Sequence, residues 1–163
     1  LMYSPRWLFL YPGAFIFFAG IGAMVWLLPS AQTVGVVTFG IHTFVLSGFA
    51  VILGFNILLF SVLSKHSSVI NGLLPSDGMM QAAMKLFTLE RMIVIGLLLA
   101  GGGAWGIIDS FENWQKSDYG NLDYETTMRQ IVPSAVILVV GMQTVFGSFL
   151  ADIIGLGVRS KIN

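Results

Sequence analysis

From Trp7 to Ser64 the chain carries no Asp, Glu, Lys or Arg. A bilayer core needs about 20 apolar residues per helix, so this run is long enough for two spans and a turn. Pro12 falls in the first turn of the first helix, where its missing N–H removes no hydrogen bond. Pro29, Ser30, Gln32 and Thr33 end that helix, which places the first two spans at about 11–28 and 42–64. Trp7, Tyr11 and Trp26 lie near the ends of the first span, where interfacial aromatics collect. A third span is predicted at about 92–108, reading MIVIGLLLAGGGAWGII, and a fourth at about 131–155, with Pro133 near its start. In the third, Gly96, Ala100 and Ala104 recur every four residues, and Gly102 and Gly106 form a GxxxG pair. Small residues at this spacing let helices approach closely in lipid. Packing within the chain is the simpler reading and a dimerisation face the alternative. The pattern predicts an all-α integral membrane protein with four transmembrane helices in two hairpins.

The two hairpins are joined by a polar connector from Lys65 to Arg91, KHSSVINGLLPSDGMMQAAMKLFTLER. Ser76 and Asp77, after Pro75, suit a helix cap. Met79, Met80, Ala83, Met84 and Phe87 then recur at three- and four-residue spacing, with Gln81 and Lys85 off that face. Such a helix can lie in the interface plane, with Leu73 and Leu74 dipping in beside it. Basic residues set the orientation. Arg6, Lys65, Lys85, Arg91, Arg159 and Lys161 fall on one side, and only Lys116 and Arg129 on the other. The expected topology is therefore N-in/C-in, with a cytoplasmic amphipathic connector helix. The opposite loop is acidic, through Asp109, Glu112, Asp118, Asp123 and Glu125.

Composition narrows the chemistry. Of 163 residues, 56% are hydrophobic and 10% charged, where a soluble domain carries roughly 25% charged residues. Mean hydropathy is +0.85. The absence of cysteine excludes disulfides, thiolate metal sites and cysteine nucleophiles. No basic patch supports nucleic-acid binding. His42 and His66 are 66 − 42 = 24 residues apart, or roughly 36 Å along a helix, so they cannot share one metal or haem within a monomer. No nucleophilic triad, phosphate loop or carboxylate pair is recognisable, so no catalytic residue and no metal site is assigned.

The candidate site is the connector, read as a platform on which Lys65, His66, Lys85 and Arg91 meet a lipid phosphate. Arg suits bidentate phosphate contact and Lys supplies a mobile point charge. Against this stands a passive linker whose cations only set topology. Asp152 is an acid inside a predicted span and needs a partner, for which Arg91 lies at the matching depth. Asn56 and Gln143 fall near the middles of the second and fourth spans, placed for an interhelical hydrogen bond.

Several phrases resemble the C-terminal membrane region of bacterial family 2 glycosyltransferases of the dolichol-phosphate-mannose-synthase-like group. They are YSPRWLFLYPG at Tyr3–Gly13, His42–Thr43, GLLP at Gly72–Pro75, FTLER at Phe87–Arg91, YGNLDYETTMRQIVPS at Tyr119–Ser134 and GMQTVFGSFLADIIGL at Gly141–Leu156. Asp152 departs from the uncharged residue expected there. The resemblance implies that the chain is the C-terminal part of a longer protein, which fits Leu1 preceding Met2 with no signal-peptide pattern after it. It implies a preceding Rossmann-like domain that holds the nucleotide sugar, the divalent metal and the catalytic base, so that no cofactor is expected on these residues. The implied reaction moves sugar from a nucleotide sugar to a polyprenyl phosphate at the cytoplasmic face of the bacterial plasma (inner) membrane. The implied partners are membrane lipid and the polyprenyl phosphate, with a homo-oligomer or a larger membrane complex open. The alternative is a non-catalytic four-helix subunit of such a complex. A small flippase for lipid-linked sugars is disfavoured by the scarcity of polar residues within the spans.

Overall fold

The structure, a computed structural model, describes residues 9–70, 88–116 and 123–159. The expected connector helix, with Lys85 and the Met79–Phe87 face, lies outside the described residues, as do Arg6, Trp7, Asp118 and Lys161.

Helix α1 spans Tyr11–Leu27, α2 Ile41–Ile70, α3 Leu89–Lys116 and α4 Tyr124–Arg159. Strands β1 (Gln32–Val34) and β2 (Val37–Phe39) form an antiparallel hairpin between α1 and α2. The protein is mostly helical. Three helices, α2, α3 and α4, are long and apolar enough to cross a membrane, and α1 is apolar but shorter at 17 residues. Pro12 sits in the first turn of α1, as expected.

Several boundaries differ from the sequence expectation. Helix α2 runs on through Ser64–Ser68, where Ser68 Oγ donates to the Ser64 carbonyl at 2.9 Å, which keeps that hydroxyl from competing for an N–H of the helix. Helix α3 continues to Lys116. Helix α4 begins at Tyr124, so Pro133 lies in its interior and not near its start. The cause is Asp123, which caps the helix two turns earlier than the apolar run begins. Its Oδ2 accepts from the Thr126 amide at 3.2 Å and from the Thr126 hydroxyl. The β-hairpin was not foreseen. Its signal is the β-branched run Thr33, Val34, Val36, Val37, Thr38 around Gly35. Gly35 has φ +62°, the left-handed value that tight two-residue hairpin turns reserve for glycine.

The helices form two antiparallel pairs, α1 with α2 and α3 with α4, joined by a contact between α2 and α4. Their packing order is α1–α2–α4–α3, an open row in which α1 and α3 are the outer members. Small residues set each seam. At Gly20 a Cβ would crowd Val51 and the Ser47 carbonyl, and at Gly54 it would overlap the Phe17 backbone. Rings of Phe9 and Phe60, centroids 5.2 Å apart, and of Phe17 and Phe55, 6.0 Å apart, close the same interface. In the other pair Gly103 meets the Leu138 and Ser134 backbone, and Gly141 meets the Ala100 backbone. Gly101 and Gly102 have nothing near them. The glycine-rich stretch therefore packs within the chain through Gly96, Ala100 and Gly103. Gly102 lies off the seam and does not act with Gly106 as a GxxxG pair.

Helices α2 and α4 run parallel, since Gly48 faces Val132 and Val136 while Gly147 faces Leu59. The start of α1, the end of α2, the start of α3 and the end of α4 thus share one end of the molecule, here the connector end. The opposite end carries the β-hairpin and the buried cluster Leu27, Ile41 and Phe44, with Met24, Phe39, Met128 and Val132 packed around it.

Candidate functional site

The connector end gathers three of the four predicted phosphate contacts. Lys65 and His66 are half-buried near the end of α2, and Arg91 is exposed in the first turn of α3. Lys85 is outside the described residues. These cations share one end because α2 and α4 are parallel while α3 is antiparallel to α4. The start of a helix is itself favourable for an anion, through its unpaired N–H groups and the positive end of the dipole. Glu90, exposed beside Arg91, offsets part of that field.

The expected polar pairs do not form. Among the described residues no ion pair joins Arg91 and Asp152, and both side chains are exposed. The α3–α4 seam explains this. Gly96 lies against Gly141 and Val145, and Gly103 against Ser134 and Leu138, and the buried seam so formed leaves the exposed Arg91 and Asp152 side chains off it. Asn56 and Gln143 are also apart. Asn56 is exposed, and Gln143 Oε1 is buried without a hydrogen-bond partner. His42 and His66 lie towards opposite ends of the single helix α2.

Sequence reasoning missed the polar residues at the hairpin end. Arg129 was read only as one of two cations opposite the basic side. Its side chain is 10% exposed, and it reaches across the bundle from α4. One guanidinium nitrogen, Nη1, donates to the Leu27 carbonyl at the end of α1. The guanidinium also lies 5.6 Å from the centre of the Phe44 ring of α2, and Nη2 is 3.6 Å from Glu125 Oε2 one turn earlier. A cation at a helix C-terminus satisfies an orphan carbonyl and opposes the negative end of the dipole. Arg129 thus binds α4 to both members of the first hairpin. The only sequence signal was an arginine flanked by Met128, Ile131 and Val132. Beside it, Gln130 Nε2 donates to Asp109 Oδ2 at 2.7 Å, joining α4 to α3.

The Asp123 cap has a pH signature. The Thr126 hydroxyl and amide hold its carboxylate below the usual carboxylate range. A carboxylate with a depressed folded-state pKa contributes stability above its unfolded pKa and loses it as pH falls through the folded value. The start of α4 should therefore fray only in acid. In Asp123→Ala the Thr126 amide should exchange hydrogen faster at neutral pH, with the Leu138 amide unchanged. Equal exchange at Thr126 in the two proteins would remove the cap from this account.

An apolar groove of about 390 Å³ opens between α3 and α4 near the hairpin end, lined by Ile107, Phe111, Trp114, Tyr124, Met128 and Ile131. The Ser110 and Thr127 hydroxyls in its lining already donate internally, to the Gly106 and Asp123 carbonyls respectively, each at 2.9 Å. It offers a hydrocarbon surface, far from the connector-end cations.

Comparison with known proteins places these features. Residues 62–155 match the glycosyltransferase family 2 C-terminal transmembrane region. The chain is 34% identical over 157 residues to the low-salt glycan biosynthesis hexosyltransferase Agl6 of Haloferax volcanii, an alignment covering 95% of this chain and 36% of that protein. The chain thus spans about a third of the length of the curated relative it matches. No solved structure matches it. The family match takes in α3, the described α4 through Gly155 and the connector end of α2, and this chain belongs to the glycosyltransferase family 2 C-terminal transmembrane regions.

Proposed function

We propose that this chain is the membrane-anchoring, acceptor-presenting region of an enzyme that transfers sugar from a nucleotide sugar to a polyprenyl phosphate. In this reading all four helices cross the bilayer, and the connector end, with both termini, faces the cytoplasm. Lys65, His66, Lys85 and Arg91 contact the lipid phosphate there. The nucleotide sugar and divalent metal belong to a separate catalytic domain of the same protein. The membrane is the bacterial plasma membrane, and the archaeal relative fits the broader reading of a prokaryotic one.

One observation carries the proposal. The family match starts at residue 62 and so includes Lys65, His66 and the connector, while the helix directions return Arg91 to the same end. The relative's own description as a hexosyltransferase supports the transfer chemistry.

The test uses the full-length protein in nanodiscs with a short polyprenyl phosphate as ligand. Replacing Lys65, Lys85 and Arg91 together by Gln should weaken binding at least about tenfold, or about 1.4 kcal/mol, with the thermal unfolding midpoint unchanged. Unaltered affinity in the folded triple variant would reject these residues as the phosphate site. Failure of the unmodified full-length protein to transfer sugar from any nucleotide sugar would favour a non-catalytic subunit.

A further inference from the structure

We propose that the β1–β2 hairpin is a membrane-surface anchor, with its valine tip seated in the lipid headgroup and upper acyl layer at the hairpin end of the molecule. The occupant of this surface is lipid.

Four observations point there. First, the segment from Pro29 to Gly40, PSAQTVGVVTFG, contains no charged residue, whereas charge, especially lysine, is one of the devices that keep water-facing strand edges soluble. Second, the apolar side chains face outward. Val36 at the turn is fully exposed, and Val34 and Val37 are more than half exposed. They continue a surface formed by Val25, Trp26 and Leu28 at the end of α1, also exposed, which is the apolar face that a helix crossing lipid presents. Third, the hairpin has little support from the other described residues. It rests on the start of α2, and Phe39 meets Trp26 with ring centroids 5.9 Å apart. An isolated two-stranded hairpin is marginal in water, so an apolar surface beneath the valines supplies what the fold lacks.

The fourth is depth. Arg129, Leu27 and Phe44 mark the level at which the apolar helices meet their polar ends. Ile41 lies three residues above Phe44, about 4.5 Å of helix rise, and β2 ends at Phe39 just beyond it. The headgroup layer on each side of a bilayer is roughly 5–8 Å thick. The base of the hairpin therefore falls inside that layer, and strands of three residues laid along the membrane surface keep the valine tip there. Its outer strand edges, unpaired among the described residues, find hydrogen-bond partners in headgroups and interfacial water, which the hydrocarbon core could not provide.

These 163 residues contain no cysteine, so labels can be placed one at a time. Val36→Cys in the full-length protein, with any cysteine elsewhere replaced by Ser, would carry a nitroxide in lipid nanodiscs. Oxygen partitions into the bilayer and a charged nickel chelate stays in water, so the ratio of their collision rates reports depth. Leu98→Cys, on an exposed apolar position of α3, gives the lipid reference, and Lys116→Cys, at its exposed polar end, the aqueous one. The ratio at residue 36 should exceed that at 116 several-fold and approach that at 98. Val34→Cys should give the same ordering. A ratio at 36 equal to that at 116 would overturn the proposal, since the hairpin would then stand in water. Low collision rates with both reagents would also overturn it, because a protein would then cover the tip. Dipolar broadening between labels would identify that protein as a second copy.

Discussion

Gly103→Leu should separate α3 from α4, whereas Gly102→Leu, one position away, should leave the protein at least as stable as before. The difference is entirely one of helix face. At Gly103 a Cβ would overlap the Leu138 backbone nitrogen and the Ser134 carbonyl oxygen. Backbone atoms cannot rotate aside as a flexible side chain can, so the helices must move apart along the whole seam from Gly96 to Gly106. Overpacking in a tight interface costs typically 1–3 kcal/mol, and a leucine against two backbones should reach about 3 kcal/mol or more. At Gly102 nothing lies within 4 Å of the added Cβ, and replacing glycine on an exposed helix face relieves a helix-propensity deficit of about 1 kcal/mol. Unfolding by SDS titration in mixed micelles, followed by tryptophan fluorescence, would read both. Gly141→Val should repeat the damage from the other side, because its Cβ would meet the Ala100 backbone. Equal stability of the Gly102 and Gly103 variants would mean that the seam has been assigned to the wrong face.

Arg129→Met should be the most damaging change of a charged residue among the described ones. The methionine keeps an apolar stem of similar length but leaves the Leu27 carbonyl without its donor and removes the cation from Phe44. Hydrogen bonds to charged groups contribute about 1.5–3 kcal/mol. The contact with a ring adds about 0.5–2 kcal/mol according to its exposure. The Glu125 contact contributes little, because that carboxylate is 55% exposed and solvent screens it. A loss of about 2–3 kcal/mol is expected, with α1 loosened first and its amides near Leu27 exchanging faster. Arg129→Lys should recover part of this, since an ammonium can still reach the carbonyl but cannot lay a planar group over the Phe44 ring. Lys116→Met is the control. It carries the same charge change at the same end of the molecule, but its contact with Glu112 at 3.9 Å is exposed on both sides. Its effect should stay within about 0.5 kcal/mol. A comparable loss in both variants would show that Arg129 acts through net charge and not through the clamp.

Together these predictions separate two ends with different work. The connector end holds the cations proposed to meet the acceptor phosphate. At the hairpin end, Arg129 and the Asp109–Gln130 bond tie the four helices into one unit. A change at Arg129 should therefore lower stability in ligand-free protein, whereas the connector-end substitutions should lower phosphate binding in protein of unchanged stability.

The membrane class and the positions of the long apolar helices followed from the chain alone. Long uncharged runs have few folds open to them in lipid, because every backbone group must be bonded within a helix or a closed sheet. The family resemblance was legible from whole phrases of residues, of which His42–Thr43 opens α2 and Gly141–Leu156 lies within α4. The phrase at Tyr119–Ser134 contains both Asp123 and Arg129. Side-chain direction was a different matter. A helix that is apolar nearly all round shows no preferred face, and one residue of phase turns a side chain by about 100°. Gly102 and Gly103 look alike in sequence, yet one faces empty space and the other a neighbouring backbone. The same rotation leaves Asn56 exposed while Gln143 stays half-buried, although their depths match. Arg129 and Lys116 counted equally in the charge tally, and only the packing of α4 across α1 and α2 made one a buried clamp and the other a solvated surface cation.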